Sequence, residues 1–481
     1  MIASDILSIL PLVFLVGWAC LLLLVDLFIP KDHKGITALL AAIGLIVSMA
    51  LTLTQWGLST PAFNTMIVVD GFSLFLNLIF LGSGLVGVAL AFDYLKRMGL
   101  ERGEYYVLLL FSITGMMLMG LAADLIMVFL ALELLSIPLY VLAGFARPQI
   151  ESEEASLKYF LLGAFSAGFM VYGIALVFGA TGATGLSEIV AAFNAGTADV
   201  ALASIGAALV MIGLGFKVAA VPFHMWTPDV YQGAPSAVTA FMSVGAKAAG
   251  FAALLRVFVL AFPAISMDLT PVLWVLAALT MILGNVVAIS QSNIKRLLAY
   301  SSIAHAGYIL MALVPYGQEG VASDAVASAL FYLMAYAFTN FAAWAVVISL
   351  EKSEGRGLAI SDYAGMGRKY PALAAVMAVA MLSFTGVPPT LGFLGKFYLF
   401  RTVLEGGYVW LAIIGVLTSL ISAYYYLRVV IVMYMQDGEP EVRHETWLYL
   451  TASVTAIATV VLSLFSAPLF NWASQAVLQL L

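Results

Sequence analysis

Cysteine occurs once in this 481-residue sequence, at Cys20, so no disulfide can close within the chain. An iron–sulfur cluster held by one chain needs about four cysteine ligands, and it is excluded on the same count. Histidine is nearly as scarce: of His33, His224, His305 and His444, only His224 and His305 fall in apolar stretches, which leaves almost nothing to ligate a haem. No GxGxxG or GxxxxGK[ST] stands between a strand and a helix, so no nucleotide site is visible. Charge is the largest deficit. Only 10% of residues are charged, against about 25% in an ordinary globular protein. The net charge of −6 is spread over loops and points to no nucleic-acid partner. The chemistry of this chain is expected to need no redox centre, metal or cofactor of its own.

Apolar residues take the place of the missing charge. They make up 63% of the chain, and the mean hydropathy is +1.08. Apolar segments of about 20 residues are the length that crosses a bilayer, and the sequence divides into about fourteen of them, from 7–29 to 446–470. The fold class expected is an all-α polytopic membrane protein. The opening MIASDILSILPLVFLVGWACLLLLVDLFIP has no basic leading region and reads as a first span rather than a cleaved signal. No Arg-rich transit segment is seen, which favours a bacterial inner (plasma) membrane over an organelle.

Basic residues then sort the loops. Thirteen fall in odd-numbered loops (Lys31, Lys34, Lys96, Arg97, Arg102, Arg147, Lys295, Arg296, Lys352, Arg356, Arg368, Lys369 and Arg443), and one, Arg401, in an even loop. By the positive-inside rule the odd loops are cytoplasmic, which puts both termini on the periplasmic side. Of the six remaining basic residues, Arg256 and Arg428 lie near span ends and are expected to reach the interface.

A weak internal repeat steps by five spans. LSIPLYVLAGF resembles SIAHAGYILMAL, with Tyr140 over Tyr308; KYFLLGAFSAGF resembles FYLMAYAFTNF, with Tyr159 over Tyr332; AAVPFHMW resembles FTGVPPTL. An odd step inverts the second copy, the arrangement of many transporters that bind ions at mid-membrane between broken helices. The expected organisation is a three-helix segment (1–103), two inverted five-helix repeats (104–262 and 263–435) with spans seven and twelve broken, and a C-terminal helix (436–481).

The remaining charges lie where they are most expensive. Glu133, Lys158, Lys217, Lys247 and Lys396 interrupt apolar runs, and an isolated charge at mid-bilayer costs roughly 2.5–3.5 kcal/mol on insertion scales. Prolines accompany them. A proline withdraws the hydrogen bond to the carbonyl four residues earlier, so helix breaks are expected at Pro138, which frees Leu134, at Pro222, which frees Val218, and at Pro388 and Pro389 in span twelve before Lys396. Such openings survive in hydrocarbon only where protein or water satisfies them. A buried charge responds strongly to an opposite charge nearby, so a Glu–Lys pair that forms and breaks is a proton switch. Glu133 and Lys217 are the candidate pair, with Lys158 as modulator. Lys247 is a candidate mid-membrane relay, with Ser243 one turn away, and Lys396 the last carrier. His224 and His305 are candidate further relays.

At these residues the chain resembles the antiporter-like membrane subunits of respiratory complex I, which are related to multisubunit sodium/proton antiporters. GLGFKVAAVPFHMWTPDVYQGAPSAVTAFMSVGAKAAGF is the most specific stretch, and VYQGAP together with the lysine of TGVPPTLGFLGKFYLF is similar to the N type rather than the L or M types. The resemblance implies a proton-translocating subunit of NADH:quinone oxidoreductase. It matches Glu133 and Lys217 to the family's interacting pair, Lys247 to its central relay, Lys396 to its terminal lysine and Lys158 to a further lysine. NADH, flavin, iron–sulfur clusters and quinone are then expected in partner subunits, with the small K-type subunit on one side and the M-type subunit on the other. Other readings are a subunit of a cation/proton antiporter, a quinone-binding redox subunit, and a structural scaffold.

Overall fold

The computed structural model describes residues 2–318, 320–352 and 356–476, with the backbone alone for 2–4. Helices α1 (Ile2–Ser8), α2 (Leu10–Asp26) and α3 (Gly35–Thr54) are followed by a small antiparallel hairpin, β1 (Thr60–Ala62) and β2 (Ile67–Val69), with Thr60 opposite Val69. Next come α4 (Gly71–Arg97), α5 (Glu104–Leu121), α6 (Leu125–Ala143), α7 (Ile150–Thr181) and the short α8 (Leu186–Asn194). Helix α9 (Val200–Val218) stops and resumes as α10 (Trp226–Gly233), which leads into α11 (Ser236–Ala261). After α12 (Ser266–Ile289), α13 (Ile294–Leu313), α14 (Ala322–Leu350) and the one-turn α15 (Met366–Lys369), a second interruption separates α16 (Pro371–Thr385) from α17 (Leu391–Glu405). Helices α18 (Val409–Met435), α19 (Thr446–Val461) and α20 (Ser466–Gln475) complete the chain. Eleven helical segments among the described residues are long and apolar enough to cross a membrane, and α2 and α16 are shorter apolar helices.

Helix starts are written in the sequence. Asp70, Asp124, Asp199, Asn293 and Thr390 each accept backbone N–H bonds at the first turn of α4, α6, α9, α13 and α17, replacing partners that the chain cannot supply there. Burial then sorts the helices into two layers. The most apolar windows of α11 and α14 are 94% and 89% buried, against 39% for α3, α7 and α18. The outer helices turn side chains such as Leu161, Phe165, Leu420 and Val454 outward, as surfaces facing lipid do. Inside, small residues let backbones meet: a Cβ at Gly115 of α5 would lie 2.3 Å from the backbone nitrogen of Leu135 in α6. This contact presses α6 inward at the turn that carries Glu133 and Ser136.

Loop contacts gather at two ends. At one end, Lys34 pairs with Asp26, Arg97 with Glu445, Asp229 with Arg296, and Lys352 with Glu441, while Ile294 N–H donates to the Leu358 carbonyl. The basic loops meet there. At the other end, Gln55 donates to the carbonyls of Leu7 and Ser8, Ala123 N–H to Met66, Leu125 N–H to Thr184, and Gln318 to Gly406. Both ends of the described chain join this second set, since Gly71 lies against Ala476.

Three expectations need correction. Pro138 does not break its helix: α6 runs through it without interruption. Only one carbonyl is lost there, and the next turn resumes normal bonding. Arg256 does not reach the interface. It is almost fully buried, gripping Asp70 through two bonds of 2.9 and 2.8 Å and the Gly120 carbonyl at 2.8 Å, so it ties α4, α5 and α11 together. Lys295, counted with the loops, is also buried, beside Glu351 at 3.8 Å. Arg428 lies part-buried and donates to the carbonyls of Ile289 and Gln291, closing the C-terminal end of α12.

Candidate proton-transfer site

The two interruptions carry the site. Helix α9 ends because Ala219 takes a left-handed conformation (φ +63°) and Pro222 has no N–H to offer Val218. The Nζ of Lys247, from the middle of α11, takes the Val218 carbonyl at 3.5 Å and the Ser302 carbonyl of α13 at 2.6 Å. In span twelve two prolines stand in tandem, and the carbonyls they release are those of Phe384 and Thr385. The Nζ of Lys396 binds both, at 2.8 and 3.0 Å, and Ser419 Oγ at 2.8 Å. Each broken helix therefore ends on a lysine ammonium, which also suits the negative end of the helix dipole. Gly386 (φ +89°) keeps the second cradle open, since a Cβ there would come within 3.1 Å of the Lys396 stem.

Lys217 occupies the last turn of α9. Its Nζ donates to Ser136 Oγ of α6 at 2.8 Å and to Tyr159 OH of α7 at 3.1 Å. The Tyr159 ring stacks on Trp226, centroids 4.6 Å apart, and Trp226 Nε1 donates to the Phe216 carbonyl. The first residue after the break thus sets the phenol that holds Lys217. Glu133 is half-buried one turn before Ser136. It lies within electrostatic reach of Lys217 without making a direct ion pair.

Helix α13 bridges the two cradles. Ser302, His305 and Tyr308 recur at three-residue spacing on one face. The Ser302 carbonyl holds Lys247. His305 Nδ1 meets Tyr332 OH at 2.6 Å, its Nε2 meets Tyr426 OH at 3.1 Å, and the ring feels the charges of both Lys247 and Lys396. The Tyr308 ring centroid lies 4.8 Å from Lys396 Nζ. Lys217, Lys247 and Lys396 are 4%, 3% and 4% exposed. The assembly is a buried file of ionisable and hydroxyl groups with few fixed counter-charges, able to pass protons between neighbours through small movements.

Not every candidate joins the file. Lys158, with 41% of its side chain exposed, pairs with Glu154 at 2.6 Å and Asp229 at 2.8 Å, and Asp229 also holds Arg296. Asp229 is not among the sequence candidates, although it stands in the WTPDV stretch; Lys158 pairs with it and with Glu154 rather than with Glu133. Ser243 accepts from Asn340 at 2.6 Å and donates to Ala240, not to Lys247. His224 is half-buried in the first break against the Pro222 backbone, and no hydrogen bond ties it to a lysine. Pro222, Pro388 and Pro389 lie in the two interruptions as expected. Sequence reading also passed over Ser136, Ser419 and Tyr426. Tyr159, Tyr308 and Tyr332 entered it only as repeat matches, yet each lies against Lys217, Lys396 or His305.

Residues 122–422 match the family described as NADH:quinone oxidoreductase/Mrp antiporter, transmembrane. The chain is 48% identical over 454 residues to NADH-quinone oxidoreductase subunit N of Trichlorobacter lovleyi, covering 94% of this chain and 91% of that one. The chain belongs to the NADH-quinone oxidoreductase subunit N family. A second member, from Chloroflexus aggregans, is 46% identical over 472 residues, 97% of this chain and 96% of its own. Among solved structures, a chain of respiratory complex I from Thermus thermophilus superposes with TM-score 0.82 at 35% identity, covering 96% of this subunit N family chain and 98% of that one. A chain of the Mrp complex from Dietzia reaches 0.85 at 20% identity, with 99% and 97% covered. That last likeness shows the fold alone.

Proposed function

We propose that this chain is a proton-translocating membrane subunit of an NADH:quinone oxidoreductase, driven by redox chemistry carried out in other subunits. The observation that carries this reading is the file itself: Lys217 ends the first broken helix, Lys247 takes that helix's freed carbonyl, and α13 leads through His305 to Lys396 at the second. Glu133, Lys217, Lys247 and Lys396 are assigned to proton transfer, with His305 as an intermediate relay and Lys158 as a modulator acting through Asp229. Electrostatic coupling sets the order of events: a change in charge at Glu133 is felt at Lys217, whose hold on Ser136 and Tyr159 then favours or resists release of a proton toward Lys247.

NADH, flavin, iron–sulfur clusters and quinone belong, in this reading, to partner subunits, with K-type and M-type membrane subunits on either side. The chain divides into the segment 1–103, inverted repeats 104–262 and 263–435, and the terminal segment 436–481, with some fourteen spans. It resides in a bacterial inner membrane with its basic loops in the cytoplasm and its termini periplasmic. An antiporter subunit is the alternative reading, and the Mrp likeness supports its fold only.

Glu133→Ala or Lys217→Ala in the assembled complex is expected to slow coupled turnover by about 10²-fold, the lower range for loss of a positioned proton-transfer group. Normal proton-to-electron stoichiometry in both variants refutes the relay. A cysteine introduced at Lys352 should react with a membrane-impermeant maleimide only from the cytoplasmic side; labelling from outside reverses the proposed orientation.

A further inference from the structure

A second Glu–Lys pair lies buried at the end of the molecule where the basic loops meet. Glu351 follows the last residue of α14 and Lys295 stands in the first turn of α13; their side chains are 6% and 2% exposed. The pair is loose. Glu351 Oε1 and Lys295 Nζ are 3.8 Å apart, beyond hydrogen-bond distance, and Lys295 spends its bond on the Ala234 carbonyl at 2.7 Å. Glu351 Oε2 has no hydrogen-bond partner. Leaving a buried carboxylate half-satisfied is expensive, and static packing does not require it. The groups facing the pair are Tyr94, whose hydroxyl accepts from Ser236 N–H at 3.1 Å, Tyr363, whose hydroxyl is buried and unpartnered, and Arg97 beyond Tyr94.

From this pair a column of hydroxyls runs inward to the file. Lys295 and Ser302 are seven residues apart on α13, two turns along one face and about 10 Å. The phenols of Tyr231 and Tyr336 converge on Ser302. Tyr336 OH, Ser302 Oγ, Thr227 Oγ1 and Ser236 Oγ are all buried without a direct hydrogen bond. Ser302 is also the residue whose carbonyl holds Lys247. Buried polar atoms left without a direct partner are what bridging waters join.

We propose that Glu351 and Lys295 form the proton-loading site of this chain, taking protons at the basic-loop end and passing them along the Ser236–Tyr231–Ser302 column to Lys247. The step is a proton transfer only: Glu351 gains a proton at the loop end and gives it up inward, and Lys295 balances the carboxylate in between. This inference rests on the relay reading above and adds its input.

The test uses the assembled complex in sealed membranes with NADH-driven proton uptake as the readout, comparing Glu351→Gln with Lys247→Ala. Glu351→Gln is expected to lower coupled turnover by at least about tenfold, since a positioned proton-transfer group contributes about 10²–10⁴-fold. Added formate, a small carboxylate able to stand in for the lost group, should restore part of it without affecting the parent. A purely structural role for Glu351 gives no such rescue. If Glu351→Gln does not assemble, Glu351→Asp withdraws the carboxylate by one methylene and should show a smaller loss, also relieved by formate. Parent-like turnover in either assembled variant, or a loss that formate leaves unchanged, overturns the loading site. If Lys247→Ala is impaired while Glu351→Gln is normal, the relay stands and only its input is misassigned. If Lys247→Ala is itself normal, the relay reading fails first.

Discussion

Lys247→Ala, in the assembled complex, is expected to reduce coupled proton transfer through this chain by on the order of 10²-fold. Lys247 touches both the first helix break and α13, through the carbonyls of Val218 and Ser302. Alanine removes the proton carrier and leaves both carbonyls without their donor. Lys247→Arg separates those two losses. Arginine keeps the charge and the donors but does not give up its proton in proteins. Restored assembly with turnover as low as in the alanine variant marks Lys247 as a carrier, whereas parent-like turnover in the arginine variant makes it a static clamp and breaks the file at its centre.

The second large effect concerns folding. Asp70→Asn is expected to destabilise the chain by about 3–5 kcal/mol, the usual consequence of stranding one member of a buried ion pair. That is a large share of a typical total stability of about 5–15 kcal/mol. Asparagine retains an oxygen for the α4 cap, where Asp70 accepts from Ser73 N–H at 2.8 Å, so the loss belongs to Arg256. The measurement is the amount of chain recovered in the assembled complex and its thermal midpoint. Combining Asp70→Asn with Arg256→Met removes the stranded guanidinium, and most of the lost stability should return. If the double variant stays as unstable as the single one, the Arg256 pair is not what holds α4, α5 and α11 together.

These two residues also show how much was legible beforehand. Lys247 stood out in the sequence because lysine is costly in an apolar run, whatever surrounds it. Arg256 stood out equally and was misread, because its partner lies 186 residues away in a loop-edge position that gives no sign of being buried. Lys158 failed for a related reason. Asp229 reaches it across 71 residues, after a break whose course no local pattern predicts. Pro138 shows the opposite limit: a proline foretells one missing hydrogen bond, yet whether the helix stops depends on the residues before it. Ahead of Pro222 and Pro388–Pro389 the chain has already turned, at Ala219 and Gly386, both at positive φ; ahead of Pro138 no such turn occurs.

By itself the sequence determined that helices would cross a membrane, which ionisable groups would be trapped among them, and which carbonyls prolines would release. All three follow from short-range rules, namely transfer free energy per residue and the fixed four-residue reach of a helical hydrogen bond. Only the tertiary structure decided that Lys247 rather than Lys217 takes the Val218 carbonyl, that Lys396 takes the pair released in span twelve, and that α13 lies between them. Those choices depend on where helices remote in sequence cross, and crossing positions are set by the packing of whole faces, which no local spacing records.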